Sequence, residues 1–90
     1  MIDKSILFEA LNAWPVEDQI MMVYEEMAEL QKALCKNYRG KDNEDNIAEE
    51  IADVEIVLAQ LKIIYNCEDR VEQYHEKKLN LIKKRLEKHG

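Results

Sequence analysis

The sequence predicts an all-α fold, a bundle of one short N-terminal helix and three longer ones, and three observations predict it. Glycine and proline are scarce, two and one in 90 residues, so a sheet would lack its usual turn chemistry. Apolar residues recur at spacings of three and four through nearly the whole chain, the period of an amphipathic helix. The stretches with that period are separated only by brief breaks at Pro15, at residues 39–45 and near Asn66, and short connections make consecutive helices antiparallel neighbours.

The first helix occupies residues 3–14, with Ile6, Leu7, Ala10, Leu11 and Trp14 on its apolar side and Asp3 or Ser5 as its cap. Pro15 interrupts it and suits the opening of a second helix, which begins at Pro15 or Val16 and runs to Tyr38. Glu17 and Asp18 lie at the favourable, positive end of its dipole. Its main stripe is Ile20, Val23, Met27, Leu30 and Leu34, widened by Met21, Tyr24, Ala28 and Cys35, and a stripe that broad implies a second contact surface. The stretch RGKDNED follows. Gly40 can end a helix in a left-handed conformation, and Asp42 or Asn43 can cap the next.

The third helix spans residues 44–65. Ile47, Ile51, Val54, Leu58, Leu61 and Tyr65 alternate by four and three, close to a heptad, and Ile56 and Ile63 add another edge. Asn66 ends it. A fourth helix over residues 68–88 carries Val71, Tyr74, Leu79, Ile82 and Leu86 as inner positions, and its C-terminal half is basic, with Lys77, Lys78, Lys83, Lys84, Arg85 and Lys88.

Residues 1–90 are expected to form a single domain, and one this small buries a limited fraction of its surface. The chain is nonetheless 47% hydrophobic, more than one small bundle can cover, so a homo-oligomer, dimer or tetramer, is expected. A formal charge of -6 argues against a nucleic-acid partner, since duplex binding depends on Lys and Arg neutralising phosphates. Cys35 and Cys67 have no metal-type spacing and read as reduced, partly buried thiols. No basic region leads into an apolar core, and no run approaches the roughly 18 apolar residues of a membrane span. The expectation is a soluble cytoplasmic protein with no membrane partner.

Two acidic clusters break the helical pattern: Glu25-Glu26-x-x-Glu29 on the second helix and Glu49-Glu50-x-x-Asp53 on the third. With side chains spaced about 100° apart, Val54, Val57, Leu61 and Ile64 fall within roughly 40° of Glu50, which therefore sits mid-stripe. Asp53 borders that arc, while Glu55 and Lys62 point to solvent. Glu26 falls between Leu30 and Ala33, Glu29 lies at the edge of the apolar sector, and Glu25 shares the polar face with Lys32 and Lys36. A carboxylate facing a helical interface must be paired, hydrogen-bonded or bound to a cation. Neither stripe carries a Lys or Arg, and clustered carboxylates otherwise repel and take up protons. A hard divalent cation answers both difficulties, and magnesium is the one that shares a few carboxylates with substrate phosphates. The i, i+3 spacing puts Glu26 with Glu29, and Glu50 with Asp53, on one face each.

The segments YEEMAELQKAL and EEIADVEIVLAQL, acidic clusters in this order on consecutive helices, resemble the MazG-like branch of the all-α nucleoside triphosphate pyrophosphohydrolases over roughly residues 14–85. The resemblance implies a four-helix MazG-like bundle that hydrolyses a (d)NTP to (d)NMP and pyrophosphate for nucleotide-pool sanitation or control. It implies metal ligands at Glu26, Glu29, Glu50 and Asp53, with Mg2+ as cofactor and Mn2+ as a possible substitute. Glu25 and Glu49 would orient neighbours, bind a second metal or remain solvated. Glu29 or Glu25 would accept the attacking water's proton. Lys78 and Arg85 resemble the family's basic positions, although Ile82 stands where members often carry Asn, and they would bind phosphate. Trp14 would stack on the base or serve the core. His75 and His89 read as surface or interface residues. A different class of function is also open: a non-catalytic homo-oligomeric assembly module in which the acids pair with Lys78 and Arg85 of another subunit.

Overall fold

The computed structural model describes residues 2–89. Four helices run in order: α1 (Lys4–Ala13), α2 (Val16–Tyr38), α3 (Glu44–Ile64) and α4 (Glu68–His89), with no strand among the described residues. None of these helices is long and apolar enough to cross a membrane.

The breaks fall where local chemistry puts them. Asp3 caps α1, its carboxylate accepting from the Ser5 backbone N–H at 3.0 Å and from the Ser5 hydroxyl at 2.7 Å. Pro15 stands at the N-cap of α2, where its missing N–H costs nothing. Helix α2 ends in a paired turn: Gly40 N–H donates to the Asn37 carbonyl at 2.9 Å and Lys41 N–H to the Lys36 carbonyl at 3.0 Å. Gly40 takes φ +103 to close it, a conformation that a Cβ would strain. Helix α3 ends in the same way. Asn66 adopts φ +49, its N–H donates to Ile63 and the Cys67 N–H to Lys62, both at 3.0 Å.

Asn43 precedes α3 but does not cap it with its side chain. Its amide is buried instead, donating to the Ala33 carbonyl at 3.1 Å and accepting from the Asn37 side chain at 3.2 Å. That contact fastens α2 and α3 into an antiparallel hairpin, the main packed unit of the chain. Helix α1 lies over one end of it, held by two buried glutamines. Gln19 Nε2 donates to the carbonyls of Ala10 and Trp14 at 3.2 and 2.9 Å, satisfying the end of α1. Gln60 Nε2 donates to the Leu7 carbonyl at 3.1 Å and to Gln19 Oε1.

The core is thin. Leu7, Val23, Ala33 and Val57 are the buried apolar residues among those described, whereas Met27 and Leu34 of the expected α2 stripe are exposed. The near-heptad of α3 divides: Ile47, Val54 and Leu61 are half-buried, and Ile51, Leu58 and Tyr65 are exposed. Cys67 is half-buried but Cys35 is exposed, against expectation, and both thiols are free.

The larger correction concerns α4. It was expected to pack as an antiparallel neighbour of α3, yet it touches α3 sparsely and has no buried residue. Tyr74, Leu79, Ile82 and Leu86, expected to face inward, are exposed. Periodicity gives a helix an apolar side but does not say which chain covers it.

Candidate metal centre

Of the four acids expected to gather at one point, the structure brings three together. Glu26, Glu50 and Asp53 each offer a carboxylate oxygen within 4.8 Å of the other two, and all three residues are half-buried. The antiparallel α2–α3 hairpin accounts for this. Glu26 lies seven residues before Ala33 and Glu50 seven residues after Asn43, so the Asn43–Ala33 contact sets both helices in the register that aligns the two acids. Asp53, one turn beyond Glu50, shares its face.

Glu29 is not part of this group; it is exposed, as are Glu25 and Glu49. It remains close enough to act on Glu26 through its charge. The helical wheel puts Glu29 at the edge of the apolar sector, about 60° from Glu26, and that edge is exposed to solvent.

The electrostatics of the group are those of like charges held together. The Glu26 carboxyl is pushed above the usual carboxylate range, first by its burial and then by the charges of Asp53, Glu50, Glu29 and Glu25. One oxygen of Glu50, Oε2, is buried with no hydrogen-bond partner. Among the described residues Lys4 pairs with Glu68 at 2.5 Å, and His75 Nδ1 lies 3.7 Å from a Glu72 carboxylate oxygen; neither contact reaches the three acids. A buried carboxylate oxygen without a donor is costly, and a cation could satisfy it while quenching the repulsion. The donor set, three carboxylates and no nitrogen or sulfur, suits a hard divalent ion.

The remaining expected site residues lie apart from the acids. Lys78 and Arg85 are exposed on α4. Trp14 is not core: 63% exposed, it stands beside a cavity of about 120 Å³ whose walls include Leu7, Ala10, Met22, Val57 and the two buried glutamines. Gln19 and Gln60 escaped the sequence reading. The signal available was polarity out of place, Gln60 lying amid the apolar run VLAQLKII and Gln19 just ahead of IMMV.

Comparison with family models, with curated proteins and with solved structures gives no match for this chain.

Proposed function

We propose that this chain is a magnesium-dependent nucleoside triphosphate pyrophosphohydrolase of the MazG-like kind, converting a (d)NTP to (d)NMP and pyrophosphate. The observation that carries the reading is the convergence of Glu26, Glu50 and Asp53 within 4.8 Å, with Glu50 Oε2 buried and unpartnered. The paired motifs that bring these residues together are those on which the resemblance rests.

Glu26, Glu50 and Asp53 would hold the metal, Mg2+ or Mn2+ in its place. When bound, such an ion supplies positive charge that neutralises phosphate oxygens and acidifies water. Glu29, outside the trio but on the same side of α2, is the carboxylate left to accept the proton of the water that attacks phosphorus. The bond broken is the anhydride between the α- and β-phosphates, so pyrophosphate leaves with the bridging oxygen. Lys78 and Arg85 supply the cationic contacts that polyphosphate oxygens require. Trp14, projecting beside its cavity, offers an aromatic face for the base.

The test is pyrophosphate release from a panel of canonical and modified nucleoside triphosphates, with and without magnesium, on the wild type and on Glu50→Gln. Release that requires both the metal and Glu50 is expected. No release from any triphosphate, together with stability indifferent to magnesium and sensitive to salt, would sink the proposal and favour the assembly module with intersubunit ion pairs.

A further inference from the structure

The two buried glutamines leave one polar atom over. Gln19 is 6% exposed and Gln60 7%, and their amide orientations follow from what surrounds them. The carbonyls of Ala10 and Trp14 can only accept, so Gln19 turns its Nε2 to them. Gln19 Oε1 and the Leu7 carbonyl are two further acceptors, and both receive from Gln60 Nε2. Every amide donor of the pair is then used. Gln60 Oε1 stands at the end of this chain, buried and without a partner.

Both glutamines line the cavity of about 120 Å³ beside Trp14, whose other walls are apolar. The cavity therefore offers an acceptor and no free donor, a polarity that a bound molecule must complement. Its size suits one ring: a cavity of about 150 Å³ holds benzene, and a fused pair of rings exceeds it. Trp14 stands at the rim, 63% exposed, its carbonyl held by Gln19. The cavity also adjoins the acids. Met22 lies four residues before Glu26, and Ile56 and Val57 lie three and four after Asp53. Because α2 and α3 are antiparallel, both steps run the same way along the hairpin, one turn or about 5.4 Å. A ribose bridges a separation of that order between a base and its α-phosphate.

We propose that Gln60 Oε1 determines specificity in a pyrimidine site, selecting a ring with an exocyclic amino group, cytosine, over one with a carbonyl in its place, uracil or thymine. Cytosine can lead with its 4-amino group and its apolar C5 edge, donating to Gln60 Oε1 while N3 and O2 stay toward solvent. Uracil carries its donor, N3–H, between two carbonyls. To reach Gln60 it must bury at least one of them where no donor is left. Adenine has an amino group, but on a fused ring system. That the ring belongs to a nucleotide rests on the hydrolase reading; the polarity and size of the cavity do not.

The experiment is titration of the full chain, in chelator, with cytidine, uridine and adenosine, followed by the fluorescence of Trp14, the one tryptophan of the chain. Nucleosides are neutral, so the metal-free acids neither draw nor repel them. Cytidine should quench with a Kd about tenfold or more below those of uridine and adenosine. N4,N4-dimethylcytidine, which keeps the ring and has no amino proton, should bind no better than uridine. Ala10→Leu, which fills the cavity from α1 and leaves both amides in place, should abolish the quenching while circular dichroism shows the helices retained; should that variant unfold, the four nucleosides on the wild type decide. Equal binding of cytidine and uridine, or quenching by neither, as expected of a cavity that holds water only, would overturn the proposal. Its fate is separate from that of the hydrolase. Cytidine selectivity without pyrophosphate release from any triphosphate keeps the site and removes the reaction, and release indifferent to the base does the reverse.

Discussion

Replacing Glu50 by Gln should stabilise the metal-free protein and destabilise it relative to the wild type once magnesium is present. At 4.8 Å, two unit charges with water-like screening repel by about 0.9 kcal/mol. Glu50 faces both Glu26 and Asp53, so removing its charge relieves about 2 kcal/mol. In a domain of this size that raises Tm by about 10 °C. The amide also brings a donor to a position where Oε2 now has no partner. Magnesium should reverse the order: an ion at a hundred times its Kd would stabilise the wild type by about 2.7 kcal/mol, and the variant would lack one of the three proposed ligands. The assay is differential scanning calorimetry of both proteins at one fixed protein concentration, in chelator and across a magnesium series. A variant less stable than the wild type in chelator would refute the reasoning, because it would show that Glu50 has a favourable partner, such as a basic residue of another subunit.

Two further predictions concern the same hairpin. Burial and the neighbouring acids hold the Glu26 carboxyl above its unfolded value of 4.5, so the folded state keeps its proton to higher pH than the unfolded one does. In chelator, the contribution of this carboxyl to stability should therefore be fully present below that unfolded value and be lost as pH rises through the raised folded value; Glu26→Gln should flatten this stretch of a Tm-against-pH curve, and an unchanged curve would count against the crowding. Gln19→Leu strips donors from the carbonyls of Ala10 and Trp14 and an acceptor from Gln60. It should cost about 2–4 kcal/mol in urea unfolding, and a loss of only a few tenths would mean water replaces the amide.

Much of this was legible in the sequence because it is local. The helix ends follow from Asp3, Pro15, Gly40 and Asn66, residues whose preferences act within a turn of themselves. Glu26 and Glu50 were legible for another reason: an acid in an apolar arc contradicts its surroundings, and periodicity exposes the contradiction; Asp53, at the border of the arc, followed from its i, i+3 spacing to Glu50. Glu29, read at the edge of the apolar sector, lies on the exposed side of that edge, and angle alone does not say on which side of a boundary a long side chain settles. The buried amides of Gln19 and Gln60 went unread because an uncharged polar residue announces itself weakly. The apolar face of α4 was read correctly as apolar and wrongly as packed against α3, since amphipathicity is blind to which neighbour covers a face.

The Asn43–Ala33 contact has a consequence for the cation as well as for the loop. A slip of α3 along α2 by one helical turn is about 5.4 Å, larger than the 4.8 Å that encloses the three carboxylate oxygens. Acids free to slide would relax by drifting apart. Fastened seven residues away, they cannot, and the repulsion remains in the metal-free fold as a standing tension. An ion entering there would release it and would not have to gather its ligands first. Under the proposed metal reading, cation affinity would be set partly at the hairpin's tip, by an uncharged amide outside the acid cluster.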